Sequence, residues 1–357
     1  MNAHSTDLPV TYRKASDVFS RDELSALTAR SDLRGLWAIV SSWAIVAGAL
    51  TLLAWWPNAL TLALALCLIA GRQLAFGILQ HEGCHGTLFE TRWMNNVLTD
   101  WLCARPVWQH LAKYRAHHLR HHLKAGTDQD PDISLHAGYP ITRGSMARKL
   151  LRDLSGITGL KLLLGLTLMD VGLFRWTVAN HLERLPQKGR RFWEYPLTFL
   201  RNAWGMLLTN AVLFCILAAT GHPWLYGVWV LAYLTPFPLF VRIRSIAEHG
   251  VRTRVPDAWE NTRTTRAGWL MRATLAPVNV NYHTEHHVMA SVPYHRLPEM
   301  HRILRERGAV PEPPSYFEVL ALASSLPRGA RAHRNPMVGS DESGAASAPT
   351  DAGSPSA

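Results

Sequence analysis

Hydrophobic positions in this chain run in two long unbroken blocks rather than in the one-sided stripes of soluble helices. From Gly35 to Gly71, and again from Asn202 to Val241, there is no Asp, Glu, Lys or Arg. A hydrocarbon core about 30 Å thick takes roughly 20 helical residues, so each block is long enough for two crossings. Turn formers interrupt each block near its middle, Trp55-Trp56-Pro57-Asn58 in the first and Thr220-Gly221-His222-Pro223-Trp224 in the second. Tryptophan at a tight turn suits the edge of a bilayer, where its amphipathic ring meets both phases. The pattern predicts two helical hairpins, 36–55 with 59–80 and 202–219 with 224–245. A large buried core in a soluble protein fits poorly, because a soluble helix keeps a polar face and these stretches have almost none.

Elsewhere the pattern is weaker. Asp22 and Glu23 open a short helix in a polar N-terminal segment, 1–34. No signal peptide is expected, since residues 1–20 are polar and the first apolar block starts late and runs long. Leu154 to Phe174 is apolar but broken by Lys161 and Asp170, which suggests an interfacial helix or an amphipathic cap. Beyond Leu326 the chain is rich in Ser, Gly, Ala and Pro. Residues 327–357 are therefore expected to be a disordered tail, leaving 35–326 as the folded membrane domain.

Charge adds an orientation. The 357 residues carry 37 Lys+Arg against 26 Asp+Glu, a formal net charge of +11. Neither hairpin turn contains a Lys or Arg, whereas Lys113, Arg115, Arg120 and Lys124 follow the first hairpin and Lys188, Arg190, Arg191 and Arg201 precede the second. More arginines, from Arg242 to Arg272, follow the second hairpin. By the positive-inside rule both termini are expected in the cytoplasm. The excess charge requires no nucleic acid; it suits anionic headgroups or an acidic protein partner. Four cysteines, Cys67, Cys84, Cys103 and Cys215, are too scattered for a disulfide framework or an iron–sulfur cluster.

The candidate chemistry lies in the 18 histidines. His81-Glu82-Gly83-Cys84-His85 stands where the second crossing should end, and positions i and i+4 stack on one helix face. In His117-His118-Leu119-Arg120-His121-His122, residues 118, 121 and 122 share a face, with His117 ambiguous. His283-Thr284-Glu285-His286-His287 repeats that spacing, and His249 follows the fourth crossing. Together these positions supply nine imidazoles, more than one ion holds and suited to two. Crowded imidazoles repel one another when charged, and a divalent metal, which binds only the neutral ring, removes that conflict. A structural zinc site needs four ligands, usually with thiolates. Copper accepts imidazole, and a dense nitrogen shell with open positions suits non-haem iron, so spacing alone does not choose the element.

These stretches, HEGCHG at 81–86, YRAHHLRHH at 114–122 and NYHTEHH at 281–287, with VPYHRLPEMH at 292–301, resemble the membrane fatty acid desaturase family of three-histidine-box di-iron enzymes. The resemblance covers about residues 35–310. It implies an all-α integral membrane protein with four transmembrane helices in two hairpins and a cytoplasmic helical cap holding a di-iron site. It also implies His81, His85, His118, His121, His122, His249, His283, His286 and His287 as ligands of two iron ions. Some acyl-CoA members carry an Asn four residues before the single extra histidine; Ser245 stands there in this chain.

A ligating imidazole normally donates its other N–H to an oxygen. Candidate acceptors and supports are Glu82, Asp128, Asp132, Glu248, Asn281 and Glu285, with Asp130 and Asn279 close by in the same runs. Glu285 points to another face of its helix and is expected to meet a neighbouring helix. Arg72, inside an apolar stretch, is a further functional candidate. The activity expected is O2-dependent desaturation of a fatty acyl or similar lipid chain, with O2 as co-substrate. Hydroxylation or ketolation of a lipid or carotenoid-like substrate is the alternative, because the two outcomes diverge only after the first hydrogen is removed. Electrons should come from a separate carrier (ferredoxin, rubredoxin or cytochrome b5-like) with its reductase. The substrate arrives from the bilayer of a bacterial inner membrane, free or on an acyl carrier.

Overall fold

The computed structural model describes residues 14–176 and 182–327. Nearly all of the expected disordered tail, and the first residues on which the absence of a signal peptide rested, lie outside that range. Ser20 caps a short helix α1, Arg21–Leu27, and Ser31 caps α2, Asp32–Trp55. Pro57 follows the end of α2, and the Asn58 side chain then accepts from the backbone N–H groups of Leu60 and Thr61, both at 3.0 Å. Capping of this kind satisfies donors that a helix start leaves free, and it opens α3, Ala59–His85.

From α3 the chain turns through α4, Arg92–Thr99, a π-helical turn at Asp100–Ala104 and α5, Leu111–Lys124. Three helices follow: α6, Ile133–His136, α7, Arg143–Leu154, and α8, Ile157–Asp170. Phe174–Trp176 and Leu182–Arg184 form an antiparallel ribbon, β1 and β2, which with two isolated bridges, Thr142 to Ser325 and Arg266 to Ser315, interrupts the helical architecture of the described residues. The second pair of long helices is α9, Glu194–Ala219, followed by α10, Leu225–Leu234, and α11, Pro236–His249. Short helices close the chain: α12, Ala258–Asn261; α13, Trp269–Ala273; α14, His283–Val288; α15, Leu297–Glu306; and α16, Tyr316–Ala323.

Four helical stretches are long and apolar enough to cross a membrane, and they cover the four segments expected apart from Trp224, which stands just ahead of the fourth. The main differences from the prediction lie in the second, third and fourth crossings. Helix α3 runs past residue 80 through both histidines of the first group, and α9 begins at Glu194 rather than 202. Polar side chains do not end α3 because protein surrounds it: α2, α5, α10 and α11 all pack against it. The fourth crossing is split at Thr235, where Pro236 and Pro238 remove backbone donors. In place of the apolar 154–174 stretch stands α8, packed on α9 and α10.

Close backbone approach fixes the short helices onto α2 and α3. A Cβ on Gly35 would lie 2.4 Å from the Leu88 carbonyl oxygen, and one on Gly71 only 2.3 Å from that of Ala273. Beside Gly71, the Arg72 guanidinium donates to the carbonyls of Arg272 and Ala273 at 3.1 and 2.9 Å. The charge inside the apolar stretch is thus a tether to the C-terminal end of α13, where a cation is electrostatically favoured. Gly71→Val is expected to destabilise the protein by about 1–3 kcal/mol through overpacking, whereas Gly48→Val, which meets nothing within 4 Å, should not. Thermal unfolding in detergent checks this; equal midpoints for the two variants would contradict the close-approach argument.

Candidate metal centre

The nine histidines named above come from four elements and gather into two adjoining groups. His81 and His85 occupy the last turns of α3, His118, His121 and His122 the second half of α5, His249 the last residue of α11, and the others α14. One group is His81, His85, His118, His122 and His286; the other is His121, His249, His283 and His287. Within each group one ring nitrogen per residue lies within 4.8 Å of the others. The two groups meet where His122 stacks on His287, centroids 4.1 Å apart.

His118, His121 and His122, which share a helix face by their spacing, are divided between the two groups. Each residue turns a helix by about 100°, so i+4 departs by about 40° and i+3 by about 60° in the opposite sense. The i,i+4 pairs 81/85, 118/122 and 283/287 therefore stay together. His121 and His286, on the other side of their partners, each serve the opposite group.

Donor arrangement fits a pair of cations. Nε2 of His118 is 3.0 Å from Nε2 of His85, His286 is 3.0 Å from His122, and His283 is 2.8 Å from His249. Both ring nitrogens of His81, Nδ1 of His286 and Nε2 of His287 are buried with no partner among the described residues. Hydrogen bonds between rings cannot satisfy so many converging lone pairs, whereas cations held by these nitrogens would. Burial, reinforced by neighbouring histidines, holds His118, His283, His286 and His287 well below the ordinary imidazole range and takes His122 to about 2. These five rings are thus held towards the neutral form that metal binding requires.

Arginines from other elements lock the ends of the histidine-bearing helices. Arg115 of α5 donates to the carbonyls of Gly83 and Cys84 at 3.0 and 3.1 Å, closing the end of α3. Arg263 does the same for α11, reaching the Ala247 carbonyl at 3.1 Å. On the ring side away from the groups, His121 Nδ1 is 2.7 Å from Asp130, whose second oxygen is 3.1 Å from Nε2 of His136. Burial opposes charge on His121, yet Asp130, Asp132 and Glu248 outweigh it and raise its pKa; His121 and His136 in turn hold Asp130 well below the carboxylate range despite its burial. Nδ1 of His249 lies 3.3 Å from the Asn261 carbonyl oxygen.

Of the supports named from sequence, Glu82, Glu248 and Asp132 lie 3.4, 3.6 and 3.8 Å from ring nitrogens of His81, His283 and His121. Asp132 is closer still to His117, at 2.8 Å. Glu285 holds His301, at 2.6 Å, and the Thr264 hydroxyl. Asn281 exchanges two bonds with the Thr265 backbone, of 2.9 and 3.0 Å, and so anchors the chain entering α14. Asp128 stands apart: its side chain is 62 % exposed and pairs with Arg254. Asp130 occupies the position against His121, because Gly126 at φ 78° turns the chain before these acids. Asn261 carried no signal in the sequence, since it acts through its backbone carbonyl.

Four membrane-length helices and two clustered histidine groups define a membrane oxidoreductase of the di-iron desaturase and hydroxylase type, acting on a lipid-like substrate. The sequence profile described as "Fatty acid desaturase" matches residues 53–319, and the chain belongs to that family. The dihydrorhizobitoxine desaturase of Bradyrhizobium elkanii is 22% identical over 303 residues, covering 80% of each chain.

Replacing Asp130 by Asn should lower metal affinity by about 10–100-fold, as loss of an outer carboxylate does elsewhere. Asp128→Asn should leave affinity unchanged. Metal content after graded chelation distinguishes them, and equal losses would remove the role given to Asp130.

Proposed function

We propose that the nine histidines hold two iron ions and that the protein is an O2-dependent desaturase of a fatty acyl or similar long apolar lipid chain. The observation that carries this reading is the meeting of nine imidazoles, six buried and three partly buried, in groups of five and four where helices long enough to cross a membrane end. Iron bound there supplies, with O2, the redox chemistry that takes hydrogen from an unactivated methylene, which no side-chain acid or base achieves. The chain's own part is to present neutral nitrogens, fix ring orientation through Asp130 and the Asn261 carbonyl, and cover the site against water. The Bradyrhizobium relative is named for a desaturation, which favours loss of two hydrogens over insertion of oxygen.

Basic flanks around uncharged hairpin turns support placing the histidine groups, both termini and the short helices as a cap on the cytoplasmic face of a bacterial inner membrane. The four cysteines are free, which supports electron delivery by a separate ferredoxin, rubredoxin or cytochrome b5-like carrier with its reductase. Lipids extracted from membranes containing the protein, a reductase and a carrier should include a product lighter by two hydrogens, detected by mass spectrometry. A product heavier by one oxygen would transfer the protein to the hydroxylases. Purified protein should carry two irons, and His286→Ala should lose iron together with activity; full loading and activity in that variant would reject the ligand set.

A further inference from the structure

Directly before the first histidine group, α3 is buried on nearly every side, yet it contains one opening. Gln73, Leu74, Gln80 and His81 are all at most 3 % exposed, whereas Gly77 between them is partly exposed. A Cβ built on Gly77 would meet nothing within 4 Å. The space in front of it lies one helical turn, about 6 Å, short of His81.

Polar groups without partners surround that level of the bundle. Gln73 and Gln80, seven residues apart, fall on the same side of α3 as Gly77, displaced from it by about 40° and 60°. Nε2 of Gln73 donates to the Trp229 carbonyl of α10 at 2.9 Å, leaving its Oε1 buried and unpartnered among the described residues. The amide nitrogen of Gln80 and the hydroxyl of Tyr233 are unpartnered too, in side chains that are 1 % and 8 % exposed as residues. Helices α3 and α10 both run from a hairpin turn towards the histidines. Tyr233, one turn beyond Trp229, therefore lies level with Gly77. An acceptor, a donor and a hydroxyl thus stand buried and unpartnered among the described residues at about the level of this opening. Unpaired groups are costly there, and a ligand that pairs with them recovers that cost.

We propose that the space before Gly77 receives the reacting segment of the substrate, and that Gln73, Gln80 and Tyr233 select a lipid chain bearing a neutral hydrogen-bonding group. That group is a hydroxyl or amide near the reacting carbons, since these three side chains offer hydrogen bonds without a net charge to pair an ionised one. The assignment rests on the proposed reading of the histidine groups as the oxidising centre. A site built around such groups discriminates strongly against chains that lack the matching partner.

The test uses full-length protein in nanodiscs, with two probe lipids of one headgroup: one with a saturated chain, one with a mid-chain hydroxyl. Native mass spectrometry should show the hydroxylated lipid retained about tenfold better or more. Combined Gln73→Leu and Gln80→Leu should erase the preference. Tyr233→Phe, which keeps the ring's shape, should reduce it, and Gly77→Leu should expel both lipids. Unchanged metal content in each variant establishes that the centre has folded. Equal retention of the two lipids by the native protein, or a preference that survives in Tyr233→Phe and the double variant, would overturn the proposal. Iron-loaded protein that prefers the hydroxylated lipid, yet oxidises neither lipid when given a reductase and a carrier, would instead reject the oxidase reading and leave the binding site standing.

Discussion

Nine imidazoles packed under protein cover have to stay uncharged, and much of the fold answers to that requirement. Ring centroids within each group approach to about 4.3–5.1 Å in several pairs. Two unit charges at about 5 Å repel by roughly 3 kcal/mol at the effective dielectric of a protein, so two protonated neighbours already strain a marginal fold. Keeping the rings neutral leaves lone pairs facing one another instead. A cation bound by those lone pairs resolves both difficulties, and its binding free energy then contributes to holding the elements together.

Convergence of four separate elements also demands rigid ends, and the arginines provide them. Arg115 joins α5 to the end of α3, Arg263 joins the chain after α12 to the end of α11, and Arg72 joins α3 to the end of α13. Each satisfies carbonyls that the last helical turn leaves free and places positive charge at the negative pole of the helix. Because donor and acceptor belong to different elements, helix termination and assembly of the centre are one event. Near membrane level, where water is scarce, unsatisfied carbonyls would otherwise be costly.

The crossings and the histidines were legible because both are signals of composition and spacing. Less legible was anything that depends on helix rotation or on the backbone. Spacing puts 118, 121 and 122 on one side of α5, but only the packing of α14 opposite shows that His121 turns towards 249, 283 and 287. Asp128, Asp130 and Asp132 look alike as a run; the turn at Gly126 decides that the first meets solvent and the second His121. The carbonyl of Asn261 cannot be read from residue type at all. Helix α3 outran its predicted end for a physical reason, since polar residues end a crossing only where they meet lipid or water.

The unequal division of nine histidines has its own consequence. The smaller group has outer support for His121 and His249 from Asp130 and the Asn261 carbonyl. In the larger group Nδ1 of His286 has no such partner among the described residues. Glu82 and Glu248 stand alike towards the two groups, 3.4 Å from His81 and 3.6 Å from His283. Outer acceptors raise the basicity of an imidazole and hold its orientation, so fewer donors in one group are offset by stronger ones. The larger group relies on number instead.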